Sequence, residues 1–171
     1  MATTTTEERI DRGSTANTAI YSIGGDFFME REFDAPRERV WSAFTDAEQV
    51  THWWGKHGST TIVETMDVRP GGAWRYVSRA PDREDVTFYG EYLEVDPPRG
   101  FRWTFMFDIE GLGPQGGPES HTFEELDGGR TLVRSVGHMG SVEAIEGALA
   151  TGMVAGAIET WDRLAALVES H

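Results

Sequence analysis

The chain has 171 residues, with 15 Lys and Arg against 29 Asp and Glu for a formal net charge of −14, an apolar fraction of 39% and 26% charged residues. That length and balance fit one globular domain and exclude collagen-like, mucin-like and fully disordered chains, while the acidity repels phosphate backbones and leaves no nucleic-acid partner to expect. The absence of Cys excludes disulfides, thiolate zinc sites and cysteine nucleophiles together.

Residues 1 to about 21 carry a Thr run, small polar residues and charges, with Ile10 and Ile20 as aliphatics to bury, and the segment 1–24 is read as one unit. They are expected to form a mobile tail ahead of a single domain over 25–171. No basic segment leads into an apolar run at the start, and no stretch approaches the roughly 20 apolar residues of a spanning helix. A cytoplasmic protein without membrane insertion is therefore expected.

Order begins at Phe27-Phe28-Met29-Glu30-Arg31-Glu32-Phe33, which has strand composition. Pro36 then suits the first position of a short helix, its φ preset and its missing N–H no loss there. Val40, Trp41 and Phe44 give that helix one apolar face. Asp46 followed by Gln49 is a capping-box signal for a second short helix bearing Val50, Trp53 and Trp54, and Gly55 stops it. One ring of the Trp pair is expected inside and the other at an entrance.

From Thr60 the chain turns to short β-rich runs between strong turn signals at Pro70-Gly71-Gly72, Pro81-Asp82, Asp96 to Gly100, Gly111 to Pro118 and Asp127-Gly128-Gly129. Strands are predicted near 60–68, 73–79, 86–96, 101–108, 119–126 and 130–138, a meander joined by the strand at 27–33. After Ser141, Leu149, Met153, Ala157, Trp161, Leu164 and Val168 recur every three or four residues, which predicts a long amphipathic closing helix. Glu146 extrapolates to its apolar arc, so either the register breaks at Gly147, a poor helix-interior residue, or Glu146 points into a pocket mouth. The fold class is α+β, a curved seven-stranded antiparallel sheet with a cavity beneath the C-terminal helix.

Several segments carry a resemblance: Phe33-Asp34-Ala35-Pro36-Arg37-Glu38-Arg39-Val40-Trp41, Trp53-Trp54-Gly55, Asp67-Val68-Arg69-Pro70-Gly71-Gly72, Gly90-Glu91-Tyr92-Leu93-Glu94-Val95 and Thr160-Trp161-Asp162-Arg163-Leu164. Over about residues 27–170 and in the same order, the chain resembles the heat-shock-protein ATPase activator homologue family of the START-like (SRPBCC) superfamily. The resemblance implies a helix-grip fold, in which the sheet wraps around the long C-terminal helix and encloses a mostly apolar cavity. It also implies a choice of functions, because that superfamily holds lipid and hormone carriers, polyketide cyclases and co-chaperone domains. Many relatives carry Trp after the Gly of the closing helix; this chain reads Gly156-Ala157, which leaves room there or leaves it to Trp161 to fill.

Period-two counting puts Trp74 and Tyr76, then Trp103, Phe105 and Phe107, on one strand face, with Arg75 and Arg102 turned to water. Such rings either pack as core or line a pocket for a flat or aliphatic molecule. Trp54, Phe88, Phe123, Met153 and Trp161 complete the candidate lining. Its polar handles are His121, Tyr76 and Tyr92, with Glu64 added because Ile62 and Met66 flank it on one apparent face; otherwise Glu64 is a rim residue paired to an Arg. There is no HExxH and no His pair at i, i+4, so no metal and no cofactor are expected. The expected function is noncatalytic binding of a small apolar molecule. The alternatives are a cyclase or dehydratase using pocket His, Tyr and Glu as acid and base, and a regulator of a chaperone ATPase; a homodimer is left open.

Overall fold

The computed structural model describes residues 8–109 and 113–170. In chain order the elements are β1 (Arg9–Asp11), β2 (Ala19–Ile23), β3 (Asp26–Phe33), α1 (Arg37–Thr45), α2 (Ala47–Trp53), β4 (Thr60–Met66), β5 (Ala73–Ala80), β6 (Arg83–Asp96), β7 (Gly100–Ile109), β8 (Gly113–Leu126), β9 (Arg130–His138), α3 (Val142–Leu149) and α4 (Met153–Val168). The strands form one antiparallel sheet in the order β1-β2-β3-β9-β8-β7-β6-β5-β4. β4 to β9 are a meander of successive hairpins, and β3 closes onto β9 with Phe33 opposite Thr131 and Asp26 opposite His138.

Seven strands were expected and the sheet has nine, because residues 9–11 and 19–23, assigned above to a tail, pair as β1 and β2. Few aliphatics were needed for this. Ile20 is fully buried opposite Met29, and on the other face Tyr21 stacks on Phe28 with centroids 4.7 Å apart while Arg9 covers its far side at 3.6 Å. Residues 1–7 of the expected tail lie outside the described residues.

The turn expected from Gly111 to Pro118 is also shorter than its composition suggests. Residues 110–112 lie outside the described residues, but Gly113 to Pro118 are already strand, paired with β7 from Ile109 to Thr104. Gly116 makes this feasible: a Cβ there would sit 1.9 Å from the Phe105 carbonyl oxygen, so only glycine allows the approach.

Pro36 is the N-cap of α1, one residue before the expected place, and Asp46 caps α2 by accepting from the Glu48 N–H at 3.0 Å. Gln49 does not close the box onto the Asp46 backbone, whose N–H is taken by Ser42; its amide donates to Ser42 Oγ at 2.7 Å instead. The closing helix is two helices. The break falls at Ala150–Gly152, not Gly147, and Gly152 takes φ 80, open to glycine without strain. α3 therefore stays regular through Gly147, and Glu146 is exposed, not in a pocket mouth.

α4 buries Trp161, Leu164, Ala165 and Val168 against the inner face of the sheet, with the Trp161 ring edge-on to Phe33. Arg31 on β3, itself buried, reaches Asp162 at 2.6 Å, and Arg39 on α1 donates to the Leu167 and Val168 carbonyls that end the helix. Charge and orphan carbonyls are thus used to fix the helix over the sheet.

Candidate functional site

The inner face of β5 to β7 presents Trp74, Tyr76, Phe88, Tyr92, Trp103 and Phe105, as the alternation predicts. Trp74 and Trp103 stack with centroids 4.0 Å apart and planes 16° apart. Trp54, which follows α2, comes down onto this group: its ring lies 5.0 Å from Tyr76, 5.5 Å from Phe88, 6.1 Å from Trp74 and 6.1 Å from Phe105. Trp53 is buried and donates its indole N–H to the Ala43 carbonyl, whereas Trp54 is half-buried.

The position of Trp54 is set from α4. Arg163 donates to the carbonyls of His52, Trp54, Gly55 and Lys56 at 2.9 to 3.3 Å, a single guanidinium satisfying the C-terminal end of α2 and the turn beyond it. Gly55 takes φ 95 within that turn.

Tyr76 and Tyr92 are 1% and 0% exposed; among the described residues each hydroxyl is the other's polar neighbour, and neither makes a hydrogen bond of ordinary length. Burial pushes the Tyr92 phenol up to about 12 and Tyr76 well above its ordinary value, with the other phenol as a further influence on each. Both therefore remain neutral O–H groups at any physiological pH.

His121, also buried, lies in a chain of polar groups. Its Nε2 is 2.6 Å from Glu119 Oε1, its Nδ1 is 2.5 Å from Ser135 Oγ, and the Trp103 indole N–H donates to the same Glu119 oxygen at 3.1 Å. With a carboxylate at Nε2, the consistent assignment is Nε2–H donating to Glu119 and Nδ1 accepting from the Ser135 hydroxyl. A hydroxyl on an imidazole held by a carboxylate is an order of groups used in acid–base chemistry.

Glu119 and Ser135 were not singled out from the sequence. Glu119 lies two residues before His121, hence on its face, and the hairpin at Asp127-Gly128-Gly129 puts Ser135 opposite His121. Both signals were present, but the second needs the register.

The remaining predicted residues divide. Phe123 is brought against Phe44 and Trp41 of α1 at 5.1 and 5.6 Å, away from the Trp54 group. Trp161 packs at the Phe33 end of α4, and Met153 is partly buried at the start of that helix. Glu64 is exposed and pairs with Arg75 at 3.0 Å, which removes it from the interior. The cause is a bulge between Val63 and Thr65: Met66 returns to the inner face opposite Trp74, while Ile62 and Glu64 stay outside.

Among the described residues, one surface concavity of about 340 Å³ lies at His52, Arg163, Ala166 and Leu167, and another of about 230 Å³ at Thr65, Ala73, Trp74, Arg75, Tyr89 and Gly90. Neither lies between the sheet and α4, where the rings are in mutual contact. Among the described residues no three His, Asp or Glu side chains converge as metal ligands, and no helix is long and apolar enough to cross a membrane.

The sequence profile of the family described as "Activator of Hsp90 ATPase homolog 1-like protein" matches residues 34–169. Protein Ms6760 from Mycobacterium smegmatis is 31% identical, with 86% of this chain and 93% of that one aligned at a TM-score of 0.75. A protein from Arthrobacter aurescens, 22% identical over 88% of this chain and 91% of its own, superposes at 0.79. The AHSA1 protein from Silicibacter pomeroyi, 20% identical over 84% and 97%, superposes at 0.68. The last two show the fold alone. No functionally curated protein matches the chain.

Proposed function

The chain belongs to the Activator of Hsp90 ATPase homolog 1-like family, within the START-like superfamily and its helix-grip fold, and from that premise we propose that it binds a small hydrophobic or aromatic molecule between the sheet and α4. The observation that carries this reading is the pair of buried phenols. Among the described residues the two hydroxyls are each other's polar neighbours without a hydrogen bond of ordinary length, and an unsatisfied buried hydroxyl costs about 1–3 kcal/mol that phenylalanine avoids. Two neutral donors kept in an aromatic surround suit a ligand acceptor atom that arrives with an apolar body.

Room for such a body comes from displacing a ring, not from a standing void. Trp54 is the ring best placed to move, because it is half-buried and sits on a turn, whereas Trp74 and Trp103 are stacked inside the sheet face. On the helix side Ala157 packs against the core as a small residue, whereas Gly156 is covered by the Lys56 side chain, whose Cε would lie 2.9 Å from a Cβ there.

The test is native mass spectrometry on freshly purified protein, repeated after denaturation, together with titration of the neutral apolar fluorophore N-phenyl-1-naphthylamine. A mass lost on unfolding, or one saturable site that takes energy from the Trp side chains, is expected. Ala157→Trp, which adds a large ring where α4 packs against the core, should weaken that site at least tenfold. A clean apo mass with no saturable fluorophore binding, or binding untouched by Ala157→Trp, overturns the reading.

A further inference from the structure

Glu119 differs from the other paired glutamates of the sheet. Glu30, Glu32, Glu64, Glu94 and Glu125 each meet an arginine. The only ion-pair partner of Glu119 among the described residues is His121, although its side chain is just 23% exposed. Both donors that reach it, the Trp103 indole and the His121 imidazole, converge on Oε1, and Oε2 receives no donor among the described residues. Ser135 Oγ stands at Nδ1 of His121 and Glu119 Oε1 at its Nε2, so both ring nitrogens have partners and neither reaches Oε2.

The surroundings show where that oxygen acts. Tyr92, Trp103, Glu119 and Gly137 form one inward row across β6, β7, β8 and β9. Gly137 leaves space beside the carboxylate: a Cβ there would meet nothing nearer than 4.0 Å. On the other side stand the stacked indoles of Trp103 and Trp74. A carboxylate oxygen without a donor, with room for a small group on its Gly137 flank, suits an ammonium group, while the indoles on its other flank suit the apolar body attached to it. The net charge of −14 also favours approach by cations.

We propose that Glu119 Oε2 is the anchor for a protonated amine, so that the molecule bound between the sheet and α4 is an apolar amine, its ammonium end over Gly137 and its body among the aromatic rings. This rests on the ligand-binding reading above and specifies the ligand's polar end.

Three probes of one shape separate the contributions: 4-phenylbutylamine, 4-phenyl-1-butanol and 4-phenylbutanoate, titrated at pH 7.5 into the full chain by calorimetry and Trp fluorescence. The amine is expected to bind at least tenfold tighter than the alcohol, and the carboxylate most weakly. Glu119→Gln keeps the shape and removes the charge, so amine and alcohol should then agree within about twofold, with an unchanged urea unfolding midpoint reporting an intact fold. Gly137→Val keeps the charge and fills the space, and should also cancel the amine's advantage.

Equal affinity of amine and alcohol in the wild-type protein, or an advantage that survives both substitutions, overturns the assignment and leaves the broader reading standing. Failure of all three probes to bind also overturns it. The broader reading is then judged separately by the native mass and by N-phenyl-1-naphthylamine.

Discussion

Tyr76 and Tyr92 keep their protons because burial disfavours the phenolate, and among the described residues each hydroxyl has the other as its polar neighbour without a hydrogen bond of ordinary length. In Tyr76→Phe and Tyr92→Phe the ring and its packing are retained while the desolvated O–H is removed. Each is expected to leave stability unchanged or raise it by up to about 1 kcal/mol, as urea unfolding measures, and to lower the amount of any ligand retained in the native mass. A loss above about 1 kcal/mol means the hydroxyl has a partner in the folded protein, such as an enclosed water. At this scale the sequence was informative where alternation alone decides a side chain's face, as for Trp74, Tyr76, Trp103, Phe105 and His121. It misled at Glu64, since a single bulged residue reverses the count and no composition marks it. It was silent on Ser135, whose importance comes from a partner 14 positions away in the chain.

Elements were legible in proportion to how much of their stability is local. α2, β5 and β7 carry their own caps, alternation and turns, so their ranges follow from the residues within them. β1 and β2 do not: they contribute backbone hydrogen bonds and two useful side chains, and exist because β3 offers an edge to pair with. The break between α3 and α4 is similar, because Gly147 and Gly152 are alike in composition and only the helix path decides which of them adopts φ 80. Ile20→Ala separates a strand from a tail. In a tail it costs nothing; with Ile20 fully buried against Met29, a loss of about 2–4 kcal/mol is expected in urea or thermal unfolding. An effect below about 0.5 kcal/mol would place β2 outside the cooperative core.

Across the whole molecule the charge is arranged unevenly. Of the 15 basic residues all but Lys56 are arginines, and most hold a particular carboxylate or helix-end carbonyl, as Arg31 holds Asp162 and Arg163 the end of α2. The surplus of acids is left without such partners, and like charges on one compact body repel. Two opposing effects of salt follow: screening weakens the ion pairs and weakens the repulsion. The exposed pairs are individually worth about 0–1 kcal/mol, and Arg31 with Asp162, the pair with a buried arginine, is screened less. Repulsion from a net −14 acts on the folded state as a whole and falls as the Debye length shrinks from about 30 Å at 0.01 M salt to about 10 Å at 0.1 M. The second effect is the larger, so the melting temperature should rise as NaCl goes from about 10 mM to about 0.5 M, most steeply at the low end where the screening length changes most. Differential scanning calorimetry at fixed pH measures it; a melting temperature that falls with NaCl would mean that the arginine pairs, and not the surplus acids, dominate the electrostatics of this fold.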